Sequence, residues 1–274
     1  MIVFPNAKIN IGLNILRRRP DGYHDLETVM YPVPWHDVLE AVPSASGHDT
    51  LVCTGRPVDC PPEKNLVMKA VKALRETVDF PPVDLFLEKI IPDGAGLGGG
   101  SADAAFAIRA VDALFSLGLP KRIMAEVAAR VGADCPFFIY NEPAVCTGTG
   151  TDMAAIPMRF TAGTWIAIVK PDVSVSTKEA YAGVTPCGDV ASLTDTVGTL
   201  PPEQWQGRVR NGFENSIFPR HPEIAAVKEE LLNQGAVYAS MSGSGAAVYG
   251  IFLNKESFKP LPEWNCYLFE KLGK

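Results

Sequence analysis

The stretch Pro92-Asp93-Gly94-Ala95-Gly96-Leu97-Gly98-Gly99-Gly100-Ser101-Ala102-Asp103-Ala104-Ala105 lies between two different periodic patterns. Before it, Val83 to Ile91 is apolar and roughly alternating, the pattern of a strand. After it, Ala105, Ile108, Val111, Leu114 and Phe115 fall at helical spacing. Five of the nine residues from Pro92 to Gly100 are glycine. Glycine admits positive φ and lets a ligand approach the backbone with no Cβ between them. The first N–H groups of a helix lack internal partners, and the helix dipole is positive there. A glycine-rich turn entering a helix is therefore a phosphate cradle; the plainer alternative is a turn with no ligand. It is not a Walker loop, since no Lys follows the glycines. As a dinucleotide fingerprint, Gly94-x-Gly96-x-x-Gly99 lacks the acidic residue ending a second strand, because Asp112 falls inside the helix pattern.

The rest of the chain narrows the class. It has 274 residues, 47% of them apolar, and a net charge of −6. That length allows one large domain or two moderate ones. The negative balance argues against a general nucleic-acid binder. The six cysteines form no C-x-x-C pair and show no zinc spacing, as expected of free thiols in a reducing cytoplasm. No apolar run approaches the ~18 residues needed to cross a membrane, and the polar N-terminus lacks a signal-peptide core, so a cytoplasmic protein is expected.

Met1 to Leu16 reads as one strand, with Lys8, Asn10, Gly12 and Asn14 on one face and Ile9, Ile11, Leu13 and Ile15 on the other. Amides clustered beside a single Lys suit either a ligand or a solvated surface. Arg17 to His24 contains the turn Pro20-Asp21-Gly22, then Tyr23 and His24. Asn65 starts a helix with the apolar stripe Leu66, Ala70, Val71 and Leu74, where a cap is the simplest role. Asp134 lies between a helix end and the apolar Cys135 to Ile139, either buried with a partner or capping the next element. Ala236 to Phe252 reads as strand, glycine turn, strand, and by itself as a plain hairpin.

Together these pieces resemble the GHMP small-molecule kinases, named for galactokinase, homoserine kinase, mevalonate kinase and phosphomevalonate kinase. Pro-x-Ala-Lys-Ile-Asn-Ile-Gly-Leu (5–13), Pro-x-Gly-x-Gly-Leu-Gly-Gly-Gly-Ser (92–101) and Met-Ser-Gly-Ser-Gly-Ala (241–246) look like the family's three motifs, in order. Arg-Arg-Pro-Asp-Gly-Tyr-His (18–24), Glu-Lys-Asn-Leu (63–66) and Gly-Ala-Asp-Cys-Pro-Phe-Phe (132–138) resemble the branch that acts on 4-diphosphocytidyl-2-C-methyl-D-erythritol in the non-mevalonate isoprenoid pathway.

The resemblance implies an α+β, two-domain fold. A ribosomal-protein-S5-like domain would cover residues 1–155 and a ferredoxin-like domain residues 156–274, with the active site between them. It implies transfer of the γ-phosphoryl group of ATP, with Mg²⁺, to the 2-hydroxyl of that substrate. Lys8 and Asp134 would be the catalytic pair. Pro92, Asp93, Gly94, Ala95, Gly96, Leu97, Gly98, Gly99, Gly100, Ser101 and Ala102 would hold ATP, with Asn65 and Lys89 near the nucleotide. Asn10 would meet the methylerythritol group. Tyr23 and Tyr181 would sandwich the cytosine, with His24 at its edge and Thr177 nearby. No residue is assigned as a direct metal ligand. The expected partner is this small molecule, with no nucleic acid and no membrane, and the expected assembly is a monomer or weak homodimer. The alternatives are a GHMP kinase acting on mevalonate, homoserine or a sugar, and a non-catalytic module of the same fold.

Three positions depart from the pattern. Asp93 brings a negative charge to a phosphate loop and is expected to face away from it. Ala95 adds a methyl group. Tyr181 stands where Phe is usual and keeps the ring.

Overall fold

The computed structural model describes residues 1–58, 60–188 and 190–272. Its strands are β1 (Ile2–Val3), β2 (Asn6–Arg18), β3 (His24–His36), β4 (Val38–Pro43), β5 (Thr50–Gly55), β6 (Val83–Lys89), β7 (Ala144–Thr147), β8 (Asp152–Ala155), β9 (Trp165–Val169), β10 (Tyr238–Met241), β11 (Val248–Phe252) and β12 (Tyr267–Lys271). Its helices are α1 (Leu66–Arg75), α2 (Gly99–Phe115), α3 (Lys121–Ala129), α4 (Cys135–Tyr140), α5 (Thr177–Ala182), α6 (Leu193–Val197), α7 (Glu214–Ile217) and α8 (Pro222–Asn233). The fold is α+β, as expected.

Two compact units interleave along the sequence. The first comprises Met1–Ala7, Trp35–Asp93 and Gly98–Glu142; the second comprises Lys8–Pro34, Gly94–Leu97 and the chain from Pro143 onward. A single division near residue 155 cuts the sequence once, whereas compactness exchanges segments between the units.

In the first unit the sheet order is β1-β4-β6-β5. β6 runs antiparallel to β4 and parallel to β5. Its alternation puts Val83, Leu85, Leu87 and Lys89 on the buried face. The period of two therefore carries a lysine inward at the strand end, where its charge needs partners. α2 packs against α1, α3, α4 and β4. Ala102, Ala104, Ala105, Ala107 and Ala110 are all buried on it, and small side chains allow that close approach.

The expected single strand over Met1–Leu16 is instead two strands in different sheets. Pro5 interrupts it, because proline has no N–H to continue a ladder. β1 pairs with β4, while β2 belongs to the sheet ordered β2-β3-β7-β8.

The second unit contains most of that sheet and another ordered β10-β11-β9-β12. β9 lies between β11 and β12, antiparallel to both. Leu13 and Ile15 of β2 share one apolar core with Ala167, Val169, Val248, Phe252, Ile224 and Leu231. β10 and β11 form the expected hairpin.

Candidate active site

The helix start in the first unit is bare. Gly98 is the N-cap of α2 with φ 72°, and it offers no side-chain cap. Gly99 and Gly100 follow, so the first two residues of the helix carry no side chain of their own, the pattern of a helix start that can receive an anion. Ahead of it, Gly94 and Gly96 also have positive φ, 59° and 74°. Left-handed residues alternating with ordinary ones are the backbone pattern from which anion-binding concavities are built. Asp93 is exposed, and Ala95 is buried.

Asn65 is buried and caps α1, its Oδ1 accepting from the Val67 N–H at 2.9 Å. Its Nδ2 lies 3.9 Å from Cys53 Sγ. The cap read from the sequence is therefore present. Lys89 is placed differently from a side chain reaching for a nucleotide. Its Nζ donates to Asp37 Oδ2 and, at 2.7 Å, to Asp103 Oδ2, and all three residues are buried. Burial pulls the lysine down, but the charges of Asp103 and Asp37 more than offset that and hold it above its ordinary range. Asp134 is the N-cap residue of α4, half-buried, with αR backbone and no capping bond from its side chain. The capping alternative for this carboxylate is thus absent. Cys135, next to it, is buried, and burial pushes its thiol up to about 11.

In the second unit β2 carries a buried polar line. Lys8 Nζ donates to Asn10 Oδ1 at 2.6 Å and to the Gly96 carbonyl at 3.0 Å. Asn10 Nδ2 donates to Thr28 Oγ1 at 3.0 Å, and Thr28 Oγ1 donates to the Gly12 carbonyl at 2.6 Å. Lys8 and Asn10 are 3% and 2% exposed, which removes the solvated-surface alternative. The hairpin turn closes on the same line. Ser242 Oγ accepts from the Asn10 N–H and donates to the Gly96 carbonyl at 2.9 Å. Tyr249 donates its hydroxyl to the Asn10 carbonyl at 2.9 Å. Asn211 Nδ2 reaches the carbonyls of Met241 and Gly243, 2.8 Å each, and fixes the turn. Backbone N–H groups complete the set: Lys8 donates to Leu97 O at 2.9 Å and Ala247 to Ala95 O at 3.1 Å. The loop carbonyls at 95, 96 and 97 are thus all held within the protein. Ser242 belongs to the Met-Ser-Gly-Ser-Gly-Ala motif, whereas no local sequence signal marks Thr28, Asn211 or Tyr249.

At the other end of β2, Arg17 and Arg19 both bind Asp25, and their hydrogen bonds hold its carboxyl below the usual range. This fixes the turn before Tyr23 and His24. The structure brings His24 onto Tyr181, with ring centroids 4.9 Å apart and planes 24° from parallel. Phe213 meets Tyr181 edge-on at 4.8 Å. Tyr23 stands 67% exposed, and Thr177, at the start of α5, is exposed. The ring stacked on Tyr181 is therefore that of His24, while Tyr23 turns outward.

The family model for the GHMP kinase N-terminal domain matches residues 65–142, and that for the GHMP kinase C-terminal domain matches residues 196–260. The chain is 48% identical over 271 residues to a 4-diphosphocytidyl-2-C-methyl-D-erythritol kinase of Parabacteroides distasonis, covering 98% of each chain. It is 44% identical to the protein of that name from Porphyromonas gingivalis, covering 99% of each. The chain belongs to the GHMP kinase family. A crystal structure of a 4-(cytidine 5'-diphospho)-2C-methyl-D-erythritol kinase superimposes with a TM-score of 0.81 at 28% identity, over 98% of both chains. A homoserine kinase from Cytophaga hutchinsonii shares the fold, with a TM-score of 0.69 at 18% identity over 92% of this chain and 86% of that one.

This GHMP kinase is an ATP-dependent small-molecule kinase. Among the described residues no three His, Cys, Asp or Glu side chains converge as a metal cage. No helix is long and apolar enough to cross a membrane among the described residues.

Proposed function

We propose that this kinase transfers the γ-phosphoryl group of ATP, with Mg²⁺, to the 2-hydroxyl of 4-diphosphocytidyl-2-C-methyl-D-erythritol. The observation that carries the reading is near-full-length identity to curated kinases named for that substrate. Phosphoryl transfer is catalysed mainly by positioning and charge stabilisation. The residues supply those elements. The bare start of α2 and the loop from Pro92 to Ala102 bind the phosphates through backbone N–H groups. A Mg²⁺ ion arriving with the nucleotide would supply charge neutralisation on the phosphates. Lys8 stabilises charge on the transferring group, and its two hydrogen bonds aim it. Asp134, half-buried at the start of α4, accepts the hydroxyl proton as a carboxylate can when the bond to phosphorus forms. Asn10 orients the methylerythritol portion. His24 and Tyr181, with Tyr23 and Thr177, recognise the cytosine. Asn65 borders the adenine side, and Lys89 acts from beneath rather than by direct contact.

The protein works as a cytoplasmic monomer or weak homodimer, and its net charge of −6 suits a small-molecule enzyme rather than a nucleic-acid binder. The test is an initial-rate comparison with Mg-ATP across 4-diphosphocytidyl-2-C-methyl-D-erythritol, mevalonate and homoserine. The reading expects turnover of the first at a kcat/KM at least a hundred-fold above the others, roughly what a site built on polar contacts can enforce. Preferred turnover of mevalonate or homoserine refutes it.

A further inference from the structure

Lys89, Asp37 and Asp103 form a buried ionic triad that joins the two stems of the glycine-rich loop, both within the first unit. Asp37 Oδ1 accepts from the N–H groups of Ile90 and Ile91, the latter at 2.8 Å, and so grips the chain just before Pro92. Its other oxygen takes Lys89 Nζ, and the same amine reaches Asp103 Oδ2 on the second turn of α2. A Cβ built on Gly99 would lie 3.3 Å from Lys89 Nζ and 3.0 Å from Ile91 Cγ2. The amine therefore sits directly under the first turn of α2. Two carboxylates and one ammonium leave one negative charge unless a proton is held. Burial pushes the Asp103 carboxyl up to about 8, with Asp37 adding to the shift and Lys89 opposing it. Asp103 Oδ1 is buried with no hydrogen-bond partner among the described residues, which a neutral carboxyl tolerates far better than a carboxylate.

We propose that Lys89, Asp37 and Asp103 are positioning residues that fix the glycine-rich loop against α2, and that nucleotide affinity depends on the triad being neutral. The proposal rests on the reading of loop 92–102 as the nucleotide site. Loss of the shared proton places a net negative charge beneath the helix start, where it opposes a bound triphosphate. The ionisable groups facing Asp103 are Lys89 from β6, Asp37 from the turn before β4, and Cys53 from β5. Cys53 is raised above its ordinary range by burial and by Asp103, and burial pushes Cys135 up to about 11.

The experiment is calorimetric binding of a non-hydrolysable ATP analogue with Mg²⁺ from pH 7 to pH 9, on wild type, Asp103→Asn and Asp37→Asn, with melting temperatures recorded alongside. Asn at 103 keeps the shape of the neutral acid and carries no proton to lose. Wild-type Kd should rise about five-fold over this range, the size expected of one partly screened charge near the phosphates. Asp103→Asn should hold its pH 7 affinity to pH 9. Asp37→Asn should bind about ten-fold more weakly at every pH, because its amide faces the Lys89 amine. If Asp37→Asn does not fold, the Asp103→Asn profile decides alone. A flat wild-type profile, an Asp103→Asn profile as steep as wild type, or a folded Asp37→Asn with wild-type affinity overturns the proposal. Absence of binding by wild type itself overturns the nucleotide reading, and the triad's role with it.

Discussion

Lys8 Nζ donates to the carbonyl oxygen of Gly96 across 3.0 Å, joining the first long strand to the glycine-rich loop. The same amine donates to Asn10 Oδ1, so both its reach and its direction are set by the fold. Lys8→Met keeps much of the side-chain volume and removes the charge and both bonds. We expect kcat to fall at least about a hundred-fold, the usual cost of one preorganised stabilising donor. Freeing Asn10 Oδ1 should cost about 1–3 kcal/mol of stability as well. Steady-state kinetics on folded enzyme checks this, and a kcat within three-fold of wild type removes Lys8 from the chemistry.

Gly94 and Gly96 separate conformational strain from collision. Both have positive φ, but a Cβ at 94 meets nothing within 4 Å, while one at 96 would lie 2.0 Å from the Ser242 carbonyl oxygen. Gly94→Ala should cost only the left-handed penalty, about 1–2 kcal/mol. Gly96→Ala must in addition displace the loop or the hairpin turn, and should abolish most activity. Equal melting temperatures and equal activities for the two variants would show that the Gly96–Ser242 contact does not constrain the loop.

Asp134→Asn tests the proposed base. The melting temperature, recorded alongside, separates a loss of chemistry from a loss of fold. Turnover should drop by about 10²–10⁴, the range for a positioned acid–base group. Nucleotide affinity should stay near wild type. Turnover within two-fold of wild type would exclude the role.

The stacked His24 and Tyr181 rings are the proposed base site. A cytosine entering over Tyr181 has to displace the His24 ring or slide beside it. Base–aromatic stacking is worth roughly 1–3 kcal/mol by alanine substitution, so Tyr181→Ala should raise the KM for the cytidine substrate about ten-fold or more. His24→Ala should impair the cytidine substrate more than a uridine analogue, and leave the KM for ATP unchanged. Equal losses on both bases would place His24 outside the base contacts.

The loop and its helix are legible in the sequence because their signals are local: glycine density, strand period and helix period meet within fifteen residues or so. Asn65 as a cap is local too. The two-face reading of the first strand anticipates Lys8 and Asn10 but not Pro5's division of that strand between two sheets. Ser242 looks like part of an ordinary hairpin, since its bonds run to Asn10 and Gly96, far away in sequence. The Lys89 triad is half legible. Alternation puts Lys89 on the core face, yet nothing local selects Asp37 and Asp103 as its partners. The outward turn of Tyr23 depends on the geometry at the start of β3, which a Pro-Asp-Gly turn leaves open.

The most direct measurement of the central claim is the structure of the product. Incubating the protein with Mg-ATP and 4-diphosphocytidyl-2-C-methyl-D-erythritol, and following phosphorus–carbon coupling by NMR, locates the new phosphate. The account predicts a phosphomonoester on carbon 2 of the methylerythritol unit, formed in step with ADP. A phosphate on another hydroxyl, or ADP released with no phosphorylated cytidine product, contradicts it.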